Sequence, residues 1–156
     1  MLYAICKALH LLAVVVWVGG MFFTLACLRP AAAVLEPPLR LRLMRAALGR
    51  FFAVVSWSAG LVFLSGAAMI ALAWRASAAS GLAFNMPLDW YAMVGLFFVM
   101  LAVFLHVRLV LLPRLDRAIA AQAWPQGAIA LGAIRWEVTL NLVVGVFIVF
   151  LVRLGV

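Results

Sequence analysis

Four long apolar blocks decide what this chain can fold into. They run from about Ala4 to Leu28, Phe51 to Trp74, Leu88 to Leu112 and Ile134 to Leu154. A bilayer core is crossed by roughly 20 mostly apolar residues in a helix, and every block reaches that length. A segment surrounded by lipid must satisfy its own backbone groups, so each block reads as helix. In 156 residues, four such spans leave no room for a soluble domain beside them. Composition agrees, with 71% of residues hydrophobic and 10% charged, where soluble domains have about 45–50% and about 25%. The expected fold is all-α: one integral membrane domain, a four-helix antiparallel bundle.

The net charge of +8 would suggest nucleic acid as a partner for a soluble protein. Here the bilayer is the expected partner, and no nucleic acid is. Basic residues gather in two of the three loops. Loops 29–50 and 113–133 carry Arg29, Arg40, Arg42, Arg45, Arg50, Arg114, Arg117 and, at the next span's edge, Arg135. Lys7, Arg75 and Arg153 fall on the other side. Positive loops stay cytoplasmic. That places both termini outside, in the periplasm if the membrane is a bacterial inner membrane. Pro30, Pro37 and Pro38 are expected to stop the first helix, and Pro113 the third. Leu39–Arg45 suggests a short basic interfacial helix. No internal repeat stands out.

The first 33 residues superficially suggest a signal peptide, but the apolar run exceeds the 7–15 residues of such a segment. It reads as a retained helix. Cys6 and Cys27 lie about 30 Å apart at 1.5 Å per residue, too far for a bridge between them.

Ionisable groups inside a span are costly and are therefore candidates for function. Depth along each helix sorts them into two layers. Near the outer face, Cys6, His10, Met69 and Met93 fall at one level, with Tyr91 just above. These are soft or borderline donors, suited to copper(I) or to a haem iron with His and Met axial ligands. Bland roles compete: a His bonded to a serine or carbonyl, Met and Cys as packing, Tyr91 as an interfacial anchor. The inner layer holds His106, with Ser56, Ser58 and Asn141 near its depth. Glu137, Asn141 and Gly145 form a stripe at i, i+4 spacing. Glu137 is expected to be neutralised by Arg108 or Arg135, and His106 to bind a cofactor or to bond Asn141 or a serine. His10 and His106 differ in depth by roughly 10–15 Å, which excludes them as a pair on one haem. No phosphate loop, dinucleotide fingerprint or nucleophile elbow is present.

The segment Lys7-Ala-Leu-His10 through Trp17-Val-Gly-Gly-Met21-Phe-Phe resembles the first helix of copper resistance protein D (CopD) family domains. So do Leu28-Arg-Pro-Ala-Ala, Glu36-Pro-Pro and Gly49-Arg-Phe-Phe, and further on Phe104-Leu-His106, Ala118–Pro125 and Asn141-Leu-Val-Val-Gly145. The first helix is also similar to that of HemJ-type protoporphyrinogen oxidases, a haem b family. The resemblance implies copper handling or redox work at the bacterial inner membrane. Joined to the depth reading, it leads to the expectation of haem b or copper near the outer face, held by His10 with Met69, Tyr91, Met93 or Cys6, with a second cofactor as one option for His106. It also implies a copper or redox partner in the membrane or periplasm. A metal-free subunit that binds a partner through its helices is the alternative, and a porphyrinogen oxidase is a third.

Overall fold

A computed structural model describes residues 1–154; the side chain of Arg153, assigned above to the outer side, lies outside the described part. Among the described residues there is no strand. The described residues form four helices: α1 (Leu2–Ala32), α2 (Pro37–Ala79), α3 (Leu88–Ala120) and α4 (Trp124–Leu154). All four are long and apolar enough to cross a membrane. The molecule is an all-α membrane bundle.

Each helix buries one narrow stripe. On α2 it reads Leu41, Met44, Leu48, Phe52, Val55, Ala59 and Val62, steps of three and four that keep one face inward. Ala13, Trp17, Met21 and Thr24 do the same on α1, and Met100, Phe104, Val107, Leu111, Leu115 and Ala118 on α3. The other faces carry large apolar side chains on the outside, such as Phe22, Trp57 and Leu64. Water would not tolerate that surface, but lipid does. α1 packs closely on α2, and α3 on α4. The two hairpins meet through Trp17, whose ring lies edge-on to Phe97 and Phe104 at 6.3 and 6.1 Å between centroids. Phe52 closes the cluster against Phe104 at 5.9 Å.

The helices run further than the apolar blocks. α2 has 43 residues, or about 65 Å at 1.5 Å per residue, twice the roughly 30 Å of a hydrocarbon core. The expected interfacial helix at Leu39–Arg45 is simply its first turns. α1 does end ahead of Pro37 and Pro38, but the expected stops at Pro30 and Pro113 fail, for a local reason. Thr24–Leu28 and Val107–Leu111 are π-helical turns. The N–H of Arg29 bonds back to Thr24 O, and that of Leu112 to Val107 O, five residues each. The next residue is Pro30 in one case and Pro113 in the other. A mid-helix proline lacks its N–H and crowds the carbonyl four residues back. A widened turn ahead of it lets the helix continue.

The true loops are short. Glu36 precedes the Pro37-Pro38 start of α2. Gly81 (φ +70°) and Gln122 (φ +53°) end α2 and α3 in left-handed conformation. Both ends show paired cap bonds: Leu82 N–H to Ser77 O and Gly81 N–H to Ala78 O, then Ala123 N–H to Ala118 O and Gln122 N–H to Ile119 O. That is the Schellman pattern.

Candidate functional site

His10 is the centre of the outer layer. It lies on α1 facing α2, with its imidazole beside Gly66. A Cβ at Gly66 would sit 3.4 Å from His10 Cε1. The Ser65 hydroxyl donates to its own helix, at Leu61 O and Val62 O. Its oxygen is then left to accept the His10 Nδ1–H at 3.0 Å. Ser65 is buried, at 4% exposure, so the bond is shielded from competing water. With Nδ1 holding the proton, Nε2 carries the free lone pair, the arrangement second-shell partners impose on ligating histidines.

His10 also lines a cavity of about 250 Å³ between all four helices. Its walls are apolar: Trp17, Val62, Phe97 and Ile148 among them. The only other side chains there with a ligand atom suited to soft metals are Met93 and Met100. Of the outer-layer candidates, His10 and Met93 therefore share one cavity. Cys6, Met69 and Tyr91 do not line it, and Tyr91 is 60% exposed. Met100 and Ser65 were missed by depth alone. A lone hydroxyl among apolar residues, about one turn inside Met69, was the signal for Ser65. Among the described residues, no three His, Cys, Asp or Glu side chains come together as a metal cluster.

The inner layer is paired differently from the expectation. His106 Nδ1–H donates to Glu137, at 2.8 Å to Oε1 and 3.0 Å to Oε2. Arg108 reaches across to α2 and donates to Phe52 O at 2.8 Å and to Ser56 Oγ at 2.6 Å. Glu137 is thus bound to His106 and not to an arginine, because Arg108 points at α2 while His106 faces α4. Asn141 donates to Met100 O at 3.1 Å, and its Oδ1 is buried without a protein partner. A void of about 10 Å³ is lined by Asn141, Glu137 and Trp17, near the lower limit for one water.

Fold and site together define a polytopic membrane protein with a histidine-bearing apolar cavity between its helices. Its sequence is matched by the family model for copper resistance protein D over residues 45–154. The chain belongs to the CopD family. The match takes in most of α2 and all of α3 and reaches the end of the described α4; α1, with His10, precedes it. No curated protein and no solved structure matches the chain.

Proposed function

We propose that this CopD-family protein handles copper, with His10 as the principal donor and the thioether of Met93 as its companion. The observation that carries this reading is the placed imidazole: Nδ1 lies 3.0 Å from a buried serine hydroxyl, and the ring lines an apolar cavity together with Met93. One imidazole and a thioether are a borderline-to-soft donor set, suited to copper(I) and poorly suited to Mg²⁺. Copper bound there would be cargo, or a one-electron couple for a redox partner. Haem b on His10 and Met93 is the second reading, since His and Met form a known axial pair. The cavity of about 250 Å³ falls below the roughly 300–1,000 Å³ usual for small-molecule sites, which favours the ion. The basic-loop count supports a cytoplasmic arginine-rich end and a site near the periplasmic face of an inner membrane.

The test is the metal content and optical spectrum of protein purified in mild detergent and loaded with copper(I). The expected result is a colourless protein that keeps about one copper per chain after a chelator wash. His10→Ala loses it, and Met93→Leu holds it weakly. A Soret band would replace the copper reading with haem. Neither metal nor colour would sink both, leaving a metal-free partner-binding subunit.

A further inference from the structure

A second cavity lies at the opposite, arginine-rich end of the molecule. It measures about 440 Å³ and is bounded by the end of α1, the start of α2 and the first half of α4. Arg29, Arg40 and Arg135 line it, one from each helix. Among the described residues the ion pairs are Arg45 with Asp116 and His106 with Glu137. Among those residues, all three cleft arginines are thus outside any ion pair, and no described carboxylate lines the cleft. Three cations converging on one cleft without a counter-charge repel one another, and an anion relieves that. Arginine suits phosphate in particular, through its planar fork of donors.

Thr24 aside, the rest of the lining is apolar, with Leu25, Leu48, Leu131 and Val138 among it. Arg29 follows the first apolar block directly and Arg135 lies at the edge of the fourth. The cleft therefore straddles the membrane surface, with charge at the headgroup level and apolar walls below. A free phosphate has no use for those walls, whereas an acyl chain does. From this arrangement we infer a binding site for an anionic phospholipid, its phosphate held by Arg29, Arg40 and Arg135 and its chain laid along Leu25, Leu48 and Val138. Basic pockets between membrane helices are known to take acidic headgroups. The inference is independent of the copper reading, which concerns the other end of the bundle.

The test is thermal unfolding of the full chain in a neutral detergent, titrated with phosphatidylglycerol, phosphatidylcholine or inorganic phosphate. Phosphatidylglycerol is expected to raise Tm saturably, and the other two to have little effect. The Arg29→Gln/Arg40→Gln/Arg135→Gln variant should need at least tenfold more lipid for the same shift. A control that loses equal charge outside the cleft, Arg50→Gln/Arg114→Gln/Arg117→Gln, should respond like the parent. Gly132→Phe gives a second route that spares the arginines. Gly132 lines the cleft, and a side chain there would meet nothing within 4 Å at its Cβ. Its ring should occupy the cleft and weaken the lipid response. The site is overturned if both cleft variants respond like the parent, or if the control triple loses as much as the cleft triple. It is also overturned as a lipid site if inorganic phosphate alone gives the full shift, or if phosphatidylcholine matches phosphatidylglycerol.

Discussion

Among the described residues, His10 and Ser65 are each other's side-chain hydrogen-bond partner. Each therefore depends on the other. Ser65→Ala removes the acceptor of Nδ1–H and leaves the ring free to turn or to change tautomer. Losing such a partner typically costs 10–100-fold in metal affinity. The expected outcome is copper retention weakened by about that factor, with helix content and Tm close to the parent; competition with a copper(I) chelator measures it. A Ser65→Ala protein that binds as tightly as the parent would show that the serine does not orient the site. The inner-layer pair behaves differently. His106 and Glu137 are partly exposed, at 49% and 21% of their side chains, and each already has its partner. Exposure separates the layers: the inner histidine's bond to its carboxylate is open to the surroundings, while the outer one's bond to a buried serine is partly covered and lies beside an apolar cavity that Met93 also lines.

At the scale of helices, close approach and termination matter most. Gly20 of α1 faces α2 so closely that a Cβ would lie 2.5 Å from the Phe51 ring, whereas one at Gly19 would meet nothing within 4 Å. Gly20→Ala should force the hairpin apart and destabilise by about 1–3 kcal/mol, as overpacking does. Gly19→Ala should be neutral or slightly stabilising from helix propensity. Thermal unfolding of the two variants side by side checks the contrast, and equal Tm values would contradict the packing. The end of α3 offers the opposite change. Gln122 takes a left-handed φ of 53° that costs an L-residue about 1 kcal/mol and glycine nothing. Gln122→Gly should stabilise by about 0.5–1 kcal/mol, read as a rise in Tm. The two proline-following helices were the poorest guide from sequence. Pro30 and Pro113 are strong breakers by composition, and only the backbone shows each preceded by a π-turn that absorbs the missing N–H.

Taken whole, the molecule is a lipid-exposed bundle with a helical extension at its arginine-rich end. Leu41, Leu115 and Ala118 are buried there, and Arg45 of α2 forms a two-pronged ion pair with Asp116 of α3. An even number of spans returns the chain to its starting side. Reporter fusions after Met1 and after residue 154 should both give periplasmic signals, and a fusion at Val34 or Gln122 a cytoplasmic one. Opposite signals from the two ends would break the four-span topology. The apolar blocks alone determined that the chain is a four-helix membrane bundle, because lipid solvates such blocks only as helices and each is long enough to cross. They also placed His10 and Met93 at one depth, since depth is a count of residues. Which side chains meet at that depth was decided by helix rotation and packing, which a residue count does not contain. Tertiary structure gave His10 to Ser65, Glu137 to His106 and Arg108 to Ser56, and gathered Arg29, Arg40 and Arg135 from three helices into one cleft.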